Sequence, residues 1–200
     1  MLSRSPNGRE YMLGYRFAHW ASIVENSNML QKQARPLLEA LSIETGETAV
    51  LMVRDQQWAV CVERVDSSQL LRLAMNVGQR IPLHAGSSAK ILLAFLKPEE
   101  IQHYIETQRL SPVAINTITD PERLVEDLAN IREKKYAVSF QERDLGAVGL
   151  TLPIYNAMNQ VIAGIGIVGP VGRLTLETIE VHLPLVRKSA EKLSRLQGWI

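Results

Sequence analysis

Hydrophobic positions along this chain switch between a period of three to four residues and a period of two, and each switch marks an element. From Phe17 to Ile43 the apolar residues Phe17, Trp20, Ile23, Val24, Leu30, Ala34, Leu37, Leu38 and Leu41 keep helical spacing. Pro36 falls inside this pattern and removes one ladder bond, so a kink or a split near Arg35 is expected. A first piece then carries Trp20, Ile23 and Val24, and a second carries Leu37, Leu38 and Leu41, with Gly46 placed to end it. Thr48–Arg54 and Trp58–Val65 are rich in β-branched residues and flank Asp55-Gln56-Gln57, which predicts a hairpin. After the turn Asp66-Ser67-Ser68-Gln69, Leu70–Met75 reads as a third strand. Ahead of all this, residues 1–10 are polar and broken by Pro6 and Gly8, so they read as loop or disorder, and Tyr11–Gly14 reads as the end of a short strand.

The second half repeats the alternation. An extended Ile81-Pro82-Leu83 leads into a small-residue loop, His84-Ala85-Gly86-Ser87-Ser88, and then into the apolar run Ile91–Leu96, which opens a helix. Ser87 or Ser88 is placed to cap that helix, whose free N–H groups and partial positive charge suit a small anionic group. Pro98, with Glu99 and Glu100, starts a second helix, and Asp120-Pro121-Glu122 starts a third that ends near Lys134-Lys135. Tyr136–Phe140, Gly149–Tyr155 and Gln160–Val168 read as three strands, the last two joined by the turn Asn156–Asn159. In the last strand Val161, Ala163, Ile165 and Ile167 face one way, and Ile162, Gly164, Gly166 and Val168 the other. Two glycines on one face either floor a cavity or admit a helix. Thr175 caps a final helix with an apolar stripe at Leu176, Ile179, Leu183, Val186, Ala190, Leu193 and Leu196, kinked at Pro184. Hairpin turns imply an antiparallel sheet with helices on its faces, an α+β fold.

Composition narrows the function classes. Two hundred residues, 46% hydrophobic and 22% charged, can bury one sizeable core. A net charge of +1 argues against a basic nucleic-acid surface on this chain by itself. One cysteine, Cys61, excludes an internal disulfide, and neither a signal peptide nor a run of about 18 apolar residues is present, so a reducing cytoplasm is expected.

The order of motifs resembles the C-terminal, effector-binding domain of the IclR family of bacterial transcription regulators. The residues that carry the resemblance are Ala34-Arg35-Pro36-Leu37, Thr45-Gly46-Glu47-Thr48, Gly78–Ala85, Lys90–Leu96, Asn116–Asp120, Glu142 with Gly146, and Gly169-Pro170. The resemblance implies a GAF-like domain, with an antiparallel six-stranded sheet and facing helices around a small-molecule pocket. It also implies that residues 1–14 are the tail of a winged helix-turn-helix domain absent from these 200 residues, or disordered; that 15–27 form a linker helix; and that 28–200 bind effector and oligomerise. DNA would be reached only through that other domain, and the partners would be a small organic acid and further copies of the chain, as a dimer or dimer of dimers. No cofactor is expected.

Carried over residue by residue, the resemblance places effector contacts at Ser87, Ser88 and Ala89 and at Ser139, Gly149, Gly166 and Val168. Family members that sense small carboxylates have serines where this chain has Gly166 and Val168, and often an acid where it has Ser139. Losing those hydroxyls removes donors from the pocket floor. The expected effector is therefore larger or less polar than glyoxylate or pyruvate, an aromatic or longer-chain acid whose carboxylate meets the amides near Ser87–Ala89. It would sit between the start of the Ser87 helix and the Gly164/Gly166 face.

Other chemistry reads more weakly. Ser87-Ser88-Ala89-Lys90 matches the Ser-x-x-Lys pattern of penicillin-binding enzymes, without the accompanying Ser-Asp-Asn and Lys-Thr-Gly. Lys90 is expected to reach solvent or loop carbonyls. His84 reads as a packed, hydrogen-bonded loop residue and Cys61 as buried packing. No histidine spacing suits a metal. Glu142, Arg143 and Asp144 could line a polar pocket mouth, while Glu122, Glu126, Asp127 and Arg132 read as an exposed helical face. The alternatives to a sensor are an enzyme on the same scaffold using His84 or Cys61, and a ligand-free dimerisation module.

Overall fold

The computed structural model describes residues 2–4, 11–13, 29–73 and 75–200. Strands β1 (Leu2–Arg4) and β2 (Tyr11–Leu13) pair antiparallel, so part of the segment expected as loop is in a strand. The expected linker helix 15–27, with Trp20, Ile23 and Val24, lies outside the described residues.

Helix α1 (Met29–Thr45) runs through Pro36 without the expected split and ends at Gly46, whose φ is +72°. Leu37, Leu38 and Leu41 around Pro36 are buried, so packing outweighs the one missing hydrogen bond. Strands β3 (Thr48–Asp55) and β4 (Trp58–Val65) form the predicted hairpin, with Gln56 at φ +55° in its turn.

Leu70–Met75 is not a strand. Leu70 and Leu71 point into solvent while Met75 is buried, a pattern without strand alternation. The strand that pairs with β4 is instead β5 (Arg80–Pro82).

Helices α2 (Ser87–Ala94), α3 (Pro98–Thr107) and α4 (Pro121–Lys134) follow, then strands β6 (Ala137–Phe140), β7 (Ala147–Tyr155) and β8 (Val161–Pro170), and helix α5 (Leu176–Leu196). The start signals of α3, α4 and α5 act as read. The Glu100 carboxylate accepts from the Lys97 N–H at 3.3 Å, Asp120 accepts from the Arg123 N–H at 2.9 Å, and Thr178 Oγ1 accepts from the Thr175 N–H at 2.7 Å.

The six main strands form one antiparallel sheet in the order β5-β4-β3-β8-β7-β6. Alternation along the strands sends side chains to two cores. Ala49, Leu51, Leu150, Leu152, Ala163, Ile165 and Ile167 pack with α1 and α5 on one face. Val50, Met52, Cys61 and Val168 pack with α2, α3 and α4 on the other.

Glycines admit close neighbours at several places along the sheet. A Cβ on Gly164 would sit 2.8 Å from Ile91 Cγ2, so there the strand admits helix α2. A Cβ on Gly169 would sit 2.5 Å from Glu47 Oε2. That space lets Glu47, buried at the start of β3, receive Arg173 through two bonds of 2.7 and 2.8 Å, tying the entry to α5 to the sheet.

Candidate functional site

All eight residues of α2 are buried, so both its ends act inside the protein. Its N-cap is Gly86, with φ +87° and ψ 160°, and no side chain caps it. The expected serine cap is therefore corrected: the Ser87 and Ser88 hydroxyls lie in the first turn and both meet Thr151 Oγ1, at 3.1 and 3.2 Å. They are drawn to the sheet because Thr151 is a buried hydroxyl that needs partners.

Sheet register sets what lies beneath. Ser139, Gly149 and Val168 are partners across β6, β7 and β8, and this row floors a small cavity of about 30 Å³. Leu73, Met75, Ser87, Ser88, Glu142 and Arg143 are among its walls. Two residues along the strands, the next row is Ala137, Thr151, Gly166 and Val50, and the α2 serines cover it.

Gly166 is thus outside the cavity lining, where it makes room for Thr151, whose Oγ1 would lie 2.7 Å from an added Cβ. Ala89 faces the core and is also outside the lining. The glycine face of Gly164 and Gly166 does not form the far wall. The structure brings together Ser87, Ser88, Ser139, Gly149 and Val168 of the residues expected to touch ligand.

The charges beside the cavity depart most from expectation. Lys90 does not reach solvent: its side chain is 1% exposed and its Nζ donates to Glu142 Oε1 at 2.7 Å. Nζ also lies 2.8 Å from Asp127 Oδ2, a charge contact without hydrogen-bond alignment, so Asp127 is not part of a merely solvated face. Arg132, Glu122 and Glu126 are exposed as read, and Arg132 Nε also donates to the Ala94 carbonyl at 2.8 Å.

The second Glu142 oxygen accepts the Gly86 N–H at 3.2 Å, satisfying a donor at the start of α2. Burial pushes the Glu142 carboxyl above its ordinary pKa, against the pull of Lys90 and that N–H. Beside it, Arg143 pairs through Nε and Nη2 with Asp144, and its Nη1 is buried with no hydrogen-bond partner among the described residues. The charges here are Lys90 and Arg143 against Glu142, Asp127 and Asp144, two positive and three negative, with Asp127 and Asp144 33% and 47% exposed. A signal for Lys90 was in the sequence: a helix apolar on every side is buried, and its one lysine must find a partner.

His84 and Cys61 do not form a catalytic pair. His84 Nε2 lies 3.0 Å from the Ser111 carbonyl and so carries the proton, leaving Nδ1 to accept from the Tyr104 hydroxyl at 2.9 Å. Burial lowers the His84 pKa below its ordinary 6.5. Burial likewise pushes the Cys61 thiol up to about 11, which keeps it protonated.

The His84 shift has a sign that can be measured. Above pH 6.5 the ring is neutral in both folded and unfolded chains and its contribution is complete. Below that value the unfolded chain takes up a proton the folded chain refuses, so stability falls. Wild type is expected to lose more stability than His84→Gln in urea melts between about pH 7 and 5. Parallel curves would contradict this assignment.

Among the described residues no group of three His, Cys, Asp or Glu could hold a metal, and no helix is long and apolar enough to cross a membrane.

Residues 22–195 match the family model described as the bacterial transcriptional regulator IclR C-terminal domain. The chain is 35% identical over 198 residues to the HTH-type transcriptional regulator KipR of Bacillus subtilis, covering 99% of this chain and 79% of that protein. It is 29% identical over 191 residues to the transcriptional repressor IclR of Escherichia coli, covering 90% and 70%. Among solved structures, the Thermotoga maritima IclR superposes with a TM-score of 0.87 at 29% identity, covering 99% of this chain and 80% of that one. A PobR inducer-binding domain from Acinetobacter, in complex with 3-hydroxybenzoic acid, superposes with a TM-score of 0.78 at 30% identity, covering 83% and 98%. These relatives are regulators of transcription, not enzymes.

Proposed function

We propose, from the premise that this chain belongs to the IclR family through its C-terminal domain, that the cavity at the start of α2 receives the carboxylate of a small organic acid. The observation that carries this reading is Arg143: a guanidinium held by Asp144 along one edge, with Nη1 buried and unpaired among the cavity walls. A buried unpaired donor costs about 1–3 kcal/mol, and a carboxylate oxygen removes that cost through a charge-assisted bond. The Ser87, Ser88 and Ser139 hydroxyls add short polar side chains nearby.

A volume of about 30 Å³ accepts the carboxylate end and little more. The rest of an aromatic or longer acid would displace Leu73 and Met75, which belong to a segment without regular structure. Such a displacement gives the acid different affinities for two arrangements of the domain, the requirement for any sensor. Read out through oligomer arrangement and an attached DNA-binding domain in the cytoplasm, this would make the chain a ligand sensor that controls transcription.

Thermal melts with glyoxylate, pyruvate, benzoate and hexanoate test the proposal. Benzoate or hexanoate is expected to raise the Tm of wild type, and Arg143→Leu to reduce their affinity roughly a hundredfold. Stabilisation by the two- and three-carbon acids alone would refute the larger effector. Stabilisation that survives Arg143→Leu would refute the arginine's role.

A further inference from the structure

The C-terminal end of α2 opens on a second and much larger space. Eight helical residues, about 12 Å, separate it from the cavity. Strand β6 pairs with β7 only as far as Thr151, so among the described residues β7 from Leu152 to Tyr155 has an open edge. A cleft of about 460 Å³ lies against that edge, within the size range of small-molecule sites. We propose that this cleft binds a small aromatic dianion.

Charge is the first argument. Arg132, Lys135 and Arg187 line the cleft, and none of them pairs with a carboxylate among the described residues. Arg132 spends its Nε on the Ala94 carbonyl, which fixes the guanidinium at the end of α2. Glu191 is the one acid in the lining, so the walls carry two net positive charges. Three cations gathered without partners repel one another, and an anion of two charges relieves this.

Shape is the second argument. Phe95 meets Tyr155 edge-on with ring centroids 5.9 Å apart, and Tyr155 stacks on Trp199 at 5.4 Å. These rings and Leu152 give the cleft flat apolar walls beside the cations, the combination that holds a planar ring with charged ends.

The open edge does not suit an incoming strand. Pro153 has no N–H to donate, and the Tyr155 N–H is already bonded to Ser194 Oγ at 3.0 Å. A compact ligand that needs rings and cations, and no backbone ladder, fits better than a peptide.

Two probes separate the sources of such chemistry: adenosine 5′-monophosphate for nucleotides and naphthalene-2,6-dicarboxylate for aromatic diacids. Calorimetric titration of the 200-residue chain is expected to show saturable binding of at least one, weakening as salt is raised. Arg187→Gln and Lys135→Asn should each weaken it roughly tenfold. Asparagine suits the left-handed backbone of Lys135, at φ +59°, so that variant keeps its fold. Gly149→Ala, which alters the other cavity, should leave this binding unchanged. No saturable binding of either probe at millimolar concentration would overturn the proposal. So would binding that ignores Arg187→Gln and Lys135→Asn, or that is lost in Gly149→Ala.

Discussion

Lys90→Met is expected to destabilise this domain by about 3–5 kcal/mol, the range for removing one partner of a buried ion pair. For a chain of this length the loss lowers Tm by on the order of 10 °C. The side chain removed is 1% exposed and bonds Glu142, so a carboxylate would be left buried without its cation. Its burial already works against ionisation, and loss of Lys90 would raise its pKa further. Lys90→Met with Glu142→Leu should recover part of the loss, because both members of the buried pair become apolar and only Asp127, 33% exposed, is left without Lys90. The Gly86 N–H would still lack its acceptor, which keeps the double variant about 1–3 kcal/mol below wild type. Urea melts of the two singles and the double form the cycle. Additive single effects would show that the pair is not coupled.

Gly149→Ala should abolish the acid-induced rise in Tm while leaving the fold intact. The added Cβ would stand 2.4 Å from Ser87 Oγ and 3.5 Å from Ser139 Oγ and Val168 Cγ1, in the middle of the cavity floor. Ser87 can rotate away at the loss of its contact with Thr151, worth about 1 kcal/mol. The ligand has no such escape, since the whole cavity is about the size of the group it must admit. Affinity for the effector is expected to fall at least roughly a hundredfold, as for other overfilled pockets. An unchanged ligand shift in Gly149→Ala would place the binding site elsewhere.

What the sequence carried about the fold was local. The β3–β4 hairpin, the starts of α3, α4 and α5, and the alternation of β8 from Ala163 onward follow from turn chemistry and period, which neighbouring residues decide. A register shift at Ile154/Tyr155 instead puts Val161 and Ile162 on the faces opposite to those expected. The errors came where distant contacts decide. Pro36 is tolerated because Ala34, Leu37, Leu38 and Leu41 on the packed face of α1 hold the helix around it, and Leu70–Met75 fails as a strand because no register buries Leu70 or Leu71. Ser87 and Ser88 were drawn from a capping role by Thr151, more than 60 residues away in the chain. At the site, the resemblance brought forward the cavity floor Ser139, Gly149 and Val168, and also Gly166, which lies one register row away from that floor. Arg143 was legible as a mouth residue. That its Nη1 is buried and unpaired depends on how the loop between β6 and β7 folds over α2.

The most direct test is a crystal structure of the chain grown with whichever of the four acids raises Tm most. A carboxylate oxygen is expected at about 3 Å from Arg143 Nη1, above the Ser139–Gly149–Val168 row, with Leu73 and Met75 moved aside. The same acid bound elsewhere, with Arg143 untouched, would contradict it.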